Sequence, residues 1–475
     1  PALMTLSRRD RLLRWLAVLG TAALILAFPV PEGIEPKGWR MFAIFAATIV
    51  GVIAQPLPGG AVVLLGLCST IFTGVLSLGD ALEAYANSIV WLVLAAIFLS
   101  RALVITGLGR RIALHFIRLL GRRSIGLGYA MIGTDGVLAT VVPSNGARSG
   151  GIIFPIARSL VGTYDSEPGP TAGRLGAFVM ALLYQADVVI CAMFLTGQAS
   201  NLLITAFAEE VTGQGIGYLE WMLAGIVPGL VSLALVPLLM MRINPPEVRE
   251  TPAAPEFARA ELVKMGPLST NEKLLLATFV VVAALWASSS WLKLDYTVVA
   301  LGGLSMLLVT GVLPWSELLA ERTAWDIFIW YGGLVRLAEG ITDFGITARF
   351  AEASASLVQG FPWPVAFAAL LLVYFFAHYG FASITAHVTA MFIPFTTLVI
   401  AAGAPPRLTV IAFACFSNLS AALTHYGTTP APIWFGAGYL SQRAWWRLGL
   451  AAATVTFLIW ATVGMAWWWL LGLAG

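Results

Sequence analysis

Charge is what this chain has least of. Asp, Glu, Lys and Arg make up 11% of its 475 residues, where a soluble globular protein carries roughly 25%. Lysine is nearly missing, with four residues against twenty-three arginines. An ordinary water-soluble enzyme is excluded, and a formal net charge of +3 is too small to imply a nucleic-acid partner. Cysteine is equally scarce: Cys68, Cys191 and Cys415 lie far apart inside apolar runs, which supports neither a disulfide framework nor a metal cluster. The four histidines, His115, His378, His387 and His425, form no pair at helical metal-ligand spacing. No resident cofactor is expected.

What the chain has instead is uninterrupted apolar length. Residues 41–79, 188–208, 221–241, 274–292, 296–316, 353–406, 408–442 and 448–475 contain no Asp, Glu, Lys or Arg, and about 20 apolar residues suffice to cross a bilayer as a helix. The pattern predicts an all-α polytopic membrane protein, lipid being its permanent partner. Arg8, Arg9, Arg11 and Arg14 precede an apolar run from Leu12 to Val30 that has no small-residue cleavage site before Pro29, so this run reads as a first span rather than a removed signal. Further spans are expected at 38–56, 59–78, 87–108, 172–208, 219–242, 271–291, 296–313, 324–345, 407–436 and 445–472, eleven in total. Segments 124–160 and 362–400 are also apolar but carry Pro, Gly, Ser and Asn in their middles. They read as re-entrant helical hairpins, because broken backbone at membrane depth persists only where protein or a cavity covers it.

Loop charges set the orientation. The segment 109–123 holds Arg110, Arg111, Arg118, Arg122 and Arg123 and no acid, whereas 79–87 and 209–220 hold Asp80, Glu83, Glu209, Glu210 and Glu220 and no base. The positive-inside rule therefore places the amino end in the cytoplasm of a cell bounded by this membrane, a bacterial inner membrane being the expected location. The proline-rich, mixed-charge stretch 244–270 reads as a cytoplasmic linker between halves. The seventeen tryptophans, among them Trp445, Trp446, Trp467, Trp468 and Trp469, read as interfacial anchors.

A shift of 239 residues lays Ser144-Asn145-Gly146-Ala147-Arg148 over Ser383-Ile384-Thr385-Ala386-His387 and Pro155 over Pro394, while a shift of 236 lays Ala102, Ile105, Thr106 and Gly109 over Ala338, Ile341, Thr342 and Gly345. Few identities support the match, but the matched features are the unusual ones. The resulting division is an N-terminal segment with the first helix (1–37), a first repeat (38–243, with hairpin 124–160), the linker (244–270) and a second repeat (271–475, with hairpin 362–400). An odd number of spans separates corresponding elements, so the repeats are expected to be inverted. Paired interrupted segments in inverted repeats are the layout of secondary transporters, with substrate near the midplane.

Four polar interruptions carry the chemistry: Pro143 to Arg148, Thr196 to Asn201, Ser383 to His387, and Thr424 to Pro430. Helix amino ends attract anions and freed carbonyls attract cations, an inventory that suits an anionic substrate. Pro143-Ser144-Asn145-Gly146-Ala147-Arg148-Ser149-Gly150-Gly151 with Phe154-Pro155-Ile156, and Thr424-His425-Tyr426-Gly427-Thr428-Thr429-Pro430-Ala431-Pro432 with Phe435-Gly436-Ala437-Gly438-Tyr439, resemble the divalent anion/sodium symporter superfamily. The resemblance runs from about residue 38 to the carboxyl end and lies nearest the dicarboxylate exchangers, such as 2-oxoglutarate/malate and citrate/succinate antiporters.

The resemblance implies a homodimer in which a transport domain of hairpins and broken helices moves as an elevator against a scaffold, carrying small dicarboxylate anions. It implies substrate contacts from Ser144, Asn145 and Gly146 at the first tip and from Ser383 and Thr385 at the second, with support from Gln198, Ser200, Thr428 and Thr429. It also implies a Na+ site built from Thr140, Ser144, Asn145 and the carbonyl of Gly197. The family signature Ser-Asn-Thr is incomplete here: Gly146 replaces the first Thr, and Ile384 replaces the second Asn. Losing cation ligands favours exchange over sodium symport. Arg148 and His387 occupy matching positions past the two tips, where they would either pair with substrate carboxylates or serve structure, Arg148 through Asp135 or Asp187. Besides sodium-coupled di- or tricarboxylate symport, a rival of another class is a membrane-embedded hydrolase using Ser383 and His387.

Overall fold

The computed structural model describes residues 8–350, 352, 360–381 and 383–473; the first seven residues of the N-terminal segment, Ala382 within the second hairpin and the last two residues lie outside the described residues. The described chain is helical: α1 (Arg8–Ala27), α2 (Pro36–Ala54), α3 (Gly59–Phe72), α4 (Leu78–Leu82), α5 (Ser88–Thr106), α6 (Leu108–Leu120), α7 (Ser124–Ala139), α8 (Phe154–Gly162), α9 (Gly176–Met193), α10 (Ala199–Thr212) and α11 (Tyr218–Ile243). The second half supplies α12 (Ala253–Met265), α13 (Thr270–Leu292), α14 (Tyr296–Val309), α15 (Trp315–Ala320), α16 (Arg322–Asp343), α17 (Trp363–Ala377), α18 (Ile384–Ala401), α19 (Pro406–Leu419), α20 (Ala431–Gly436), α21 (Gln442–Ile459) and α22 (Met465–Leu470). Among the described residues nine helices are long and apolar enough to cross a membrane, and α3 and α14 are shorter apolar helices.

The order of elements occurs twice. Two helices, a short helix and a long helix (α2, α3, α4, α5) lead through α6 to a hairpin (α7, α8), a broken helix (α9, α10) and a span (α11). The same order returns as α13, α14, α15, α16, then α17 with α18, α19 with α20, and α21 with α22. Both expected hairpins are helix–break–helix elements, and the expected single spans at 172–208 and 407–436 are each broken in the middle. Gly107, at φ +78°, closes α5 and starts α6, the turn that a Gly at the helix exit permits.

Position in the fold follows apolar distribution. Every residue of α9 is buried, as expected of a helix that is hydrophobic all round. On α1, by contrast, Leu12, Leu16, Leu19 and Leu24 are each more than half exposed, a face suited to lipid. The Arg14 guanidinium reaches back to the carbonyls of Ala54 and Gln55 at 2.8 and 3.0 Å, satisfying the carboxyl end of α2 beside the amino end of α1. The tryptophans divide: Trp469 is exposed, but Trp445 and Trp468 are buried, and Trp468 donates to the Ala224 carbonyl at 2.9 Å. Anchoring at an interface thus describes only part of the set.

The stretch 244–270 is not a loose linker. Residues 244–252 run as a strap: Ser124 N donates to Arg249 O at 3.0 Å, Thr251 N to Arg122 O at 2.8 Å, and Val248 N to Arg174 O at 2.9 Å. Helix α12 then lies along α6, with Arg110 on Glu261 at 2.6 Å. Below it, Arg111 Nε meets Glu272 Oε1 at 2.6 Å, and Nη1 donates to Gly266 O at 2.8 Å. Both side chains of this pair are under 9% exposed. Removing one partner of a buried pair strands the other charge. Arg111→Ala is therefore expected to cost about 3 kcal/mol, read as a lower melting temperature in detergent, with the Arg111→Ala/Glu272→Ala double variant less affected than the single. An unchanged melting temperature in the single variant would reject the pair as a staple of α6 to α13.

Candidate functional site

The site begins with the two helix breaks of the first half. α9 ends at Met193, Phe194 turns extended, and Gln198 is extended again before α10. Glycine is required inside this turn, because a Cβ on Gly197 would lie 2.6 Å from the Cys191 carbonyl oxygen. The carbonyls freed by the break do not face lipid. Asn201 Nδ2 donates to Cys191 O at 2.8 Å and to Phe194 O at 2.9 Å, and the Thr196 hydroxyl donates to Ala139 O, the end of α7, at 2.6 Å. The hairpin tip follows: residues 140–144 leave the helix, and from Asn145 a π-helical turn (Gly146–Ile153) leads into α8. Such turns are frequent at functional sites.

Arg148 sits in that turn, fully buried, and all of its nitrogens are engaged. Nε donates to Asp135 Oδ1 at 2.5 Å, Nη1 to the carbonyls of Val142 and Gly197 at 3.1 and 2.8 Å, and Nη2 to Asp187 Oδ1 at 2.9 Å and Cys191 Sγ at 3.6 Å. These contacts account for the five N–H donors of a guanidinium. Arg148 is thus not free to hold a substrate carboxylate; of the two roles open to it, the structure gives the ion pair, with both aspartates at once.

The sodium site read from the sequence is disrupted by the same side chain. The Gly197 carbonyl, one of its ligands, already accepts from Arg148. Thr140 turns its hydroxyl to Val137 O at 2.7 Å, and its carbonyl accepts from the Tyr218 hydroxyl at 2.8 Å. The Ser144 hydroxyl accepts from Ala147 N at 3.2 Å. The residues present do not form the expected cation cage.

Asn145, by contrast, stands where a site residue would. Its Nδ2 donates to Thr428 Oγ1 at 3.0 Å and to Gln198 Oε1 at 3.4 Å. This brings the first tip, the first break and the 424–430 loop of the second half together across the repeats. Gly146 and Thr429 meet beside it, since a Cβ on Gly146 would come within 3.0 Å of Thr429 Cγ2. Ser200 is buried at the second residue of α10, while Thr429 is exposed. Sequence reading missed Asn418, which accepts from Gln198 Nε2 and donates to Asn201 Oδ1 at 2.9 Å. It also missed Tyr184 and Gln185 of α9, which donate to the freed carbonyls of Ala421 and Ala422 at 2.6 and 3.1 Å. None of the three stands beside a helix breaker, the only signal that marked the others.

The second tip is built differently. Ser383 caps α18, its hydroxyl accepting from Ala386 N at 3.1 Å, and the Thr385 carbonyl accepts from Thr389 Oγ1 at 2.6 Å. His387 is not at the surface of the site. It is fully buried inside the hairpin, its ring 4.3 Å from Tyr374, 5.1 Å from His378 and 5.2 Å from Phe381. Neither ring nitrogen has a hydrogen-bond partner among the described residues, so no Ser383–His387 couple exists for a hydrolase. The second hairpin reaches the shared loop through His378, whose Nε2 lies 3.1 Å from Gly427 O, one residue from the Thr428 that holds Asn145.

Comparison with known proteins gives the family and the fold. YflS of Bacillus subtilis (strain 168), provisionally named a malate transporter, is 42% identical over 464 residues, covering 98% of this chain and 97% of its own. The chloroplastic dicarboxylate transporter 1 of Arabidopsis thaliana is 42% identical over 461 residues, covering 96% of this chain and 83% of its own. The L-tartrate/succinate antiporter of Escherichia coli O6:K15:H31 is 32% identical over 481 residues, covering 96% and 97%. Among solved structures, the YdaH transporter of Alcanivorax borkumensis shares the fold, with a TM-score of 0.56 at 14% identity over 98% of this chain and all of the other. The family described as the sodium:sulfate symporter transmembrane region matches residues 9–474, and the chain belongs to it as a multi-pass membrane transporter.

Proposed function

We propose that this protein exchanges C4 and C5 dicarboxylates, of the malate, succinate and 2-oxoglutarate type, across a bacterial cytoplasmic membrane with its amino end inside. The names of its relatives support the substrate class. The geometry supports it at three starts, those of α10, α18 and the π turn: helix amino ends carry partial positive charge suited to carboxylates, with Ser144 and Thr428 at the first tip and Ser383 and Thr385 at the start of α18. The repeated element order supports two inverted halves, and the elevator stroke and the homodimer are what the family resemblance implies. Substrate lies between Ser144–Asn145 and Ser383–Thr385, with Gln198, Ser200, Thr428 and Thr429 around it.

One observation carries exchange over sodium symport. The Gly197 carbonyl that a coupling cation would need is held by Arg148 at 2.8 Å. An ion that cannot bind cannot neutralise a dianion for the crossing, so the carrier returns with a second dianion instead. In proteoliposomes, uptake of labelled malate is expected to require unlabelled dicarboxylate inside and to be unchanged when choline replaces sodium. Uptake into empty vesicles driven by a sodium gradient would overturn this reading.

The same cluster predicts the phenotype of its removal. Arg148→Ala leaves Asp135 and Asp187 buried without their counter-charge, at a cost of about 3–5 kcal/mol. The expected result is loss of monodisperse protein and a lower melting temperature, before any effect on affinity is read. A stable Arg148→Ala protein with a raised KM would instead assign the guanidinium to substrate.

A further inference from the structure

The amides around Asn145 form a directed chain. Asn201 Nδ2 donates to two backbone carbonyls, Cys191 O and Phe194 O, so its Oδ1 faces Asn418 Nδ2, 2.9 Å away. Asn418 Nδ2 also donates to Ala414 O at 3.0 Å, so its Oδ1 faces Gln198 Nε2. Gln198 Oε1 in turn faces Asn145 Nδ2. The two hydrogens of that amide are then both used, on Gln198 and on Thr428.

Amide oxygen and nitrogen assignments follow from the network in which they sit. Turning Asn145 over would set its oxygen against Gln198 Oε1. Relieving that clash by turning Gln198 and then Asn418 would set Asn418 Oδ1 against Asn201 Oδ1 and Ala414 O. Turning Asn201 would set its oxygen against the Cys191 and Phe194 carbonyls. Backbone carbonyls cannot turn, so they fix the sense of every amide as far as the tip. Asn418 and Asn201 are fully buried and Gln198 is 3% exposed, so water offers little relief along the three amides behind Asn145. The outcome is that, of the four amides, Asn145 is the one whose oxygen has no donor among the described residues.

We propose that Asn145 Oδ1, aimed by the Asn201–Asn418–Gln198 chain, accepts the hydroxyl of a 2-hydroxy dicarboxylate, so that hydroxylated substrates are preferred over unsubstituted ones of the same length. This rests on the exchange reading. A carboxylate has no hydrogen to give to an amide oxygen, whereas an alcohol does. The Thr428 hydroxyl, which accepts from Asn145, keeps its own hydrogen for a carboxylate beside it. Asn418 and Gln198 act here as positioning residues for that oxygen.

The test uses the purified full chain in liposomes loaded with succinate, with labelled succinate uptake competed by two pairs: malate against succinate, and 2-hydroxyglutarate against glutarate. The hydroxylated member of each pair is expected to half-inhibit at about 5- to 10-fold lower concentration, the range of one net hydrogen bond. Asn418→Leu and Gln198→Met are each expected to bring that ratio to within about 2-fold, a shift in selectivity that a general loss of folded protein would not produce. Equal inhibition within each pair by the unaltered protein, or a ratio that survives both substitutions, overturns the proposal. Failure of all four acids to exchange would count against the dicarboxylate reading itself.

Discussion

A guanidinium with no exposure to solvent holds this site together. Its partners come from four places in the chain: Asp135 on α7, Val142 at the hairpin tip, Asp187 and Cys191 on α9, and Gly197 in the break before α10. Each is costly without the others. A charge in a low-dielectric interior is stable only when it is paired and its hydrogen-bonding capacity is filled, and a carbonyl released by a helix break needs a donor for the same reason. Arg148 meets both needs at once. Both arms of the first hairpin and the broken helix behind it are consequently fixed relative to one another, and the remaining polar groups of the site are arranged around that fixed body.

The second half is tied in through its own broken backbone. Tyr184 and Gln185, on the fully buried α9, satisfy the carbonyls of Ala421 and Ala422. Asn418 joins the amide chain of the first half, and Trp434 on α20 donates to Ser149 Oγ at 3.0 Å in the π turn. The first half covers its own freed carbonyls through Asn201, Thr196 and Arg148, whereas the break of the second half takes donors from α9 of the first. Irregular backbone at membrane depth must be covered, and here the cover for the second half's break is supplied across the boundary between the halves. A site at that boundary is then a result of folding economy as well as of function, since that is where freed backbone groups and the side chains that satisfy them already meet.

What could be read from the sequence follows from the same physics. Spans were visible because crossing a bilayer demands length and apolarity, and α2, α5, α11 and α13 lie within a few residues of their expected bounds. The breaks were visible because Pro, Gly, Ser and Asn clustered inside an apolar run weaken a straight helix and add polar groups that lipid cannot satisfy. The strap at 244–252 was not visible, since its bonds join Thr251 to Gly121 and Ser124 to Val248, more than 120 residues apart. Arg148 was ambiguous for a related reason: a base beside a hairpin tip looks alike whether its counter-charge is substrate or an aspartate 39 residues on. His387 misled further, because its match to Arg148 is one of position and not of environment. Sequence alignment of the repeats carried no information on the aromatic rings of Tyr374 and Phe381 that enclose it.

That contrast shows that two related tips are held by different forces. The first is held by directional bonds, through Arg148 and the amide chain ending at Asn145, and such bonds weaken steeply when their angles change. The second is held by a capping hydroxyl at Ser383, by bonds joining His378 to Gly427, Tyr426 to the Tyr379 carbonyl and Tyr374 to Ser417, and by tilted ring contacts around His387. Aromatic packing tolerates a range of offsets and tilts at similar energy. A small displacement of the first tip therefore breaks several bonds together, whereas at the second part of the contact is between rings, which can shift over one another. The two hairpins share an architecture, and the side chains around them differ: a buried ion cluster and an amide chain fix the first, while aromatic packing shares the work with hydrogen bonds at the second.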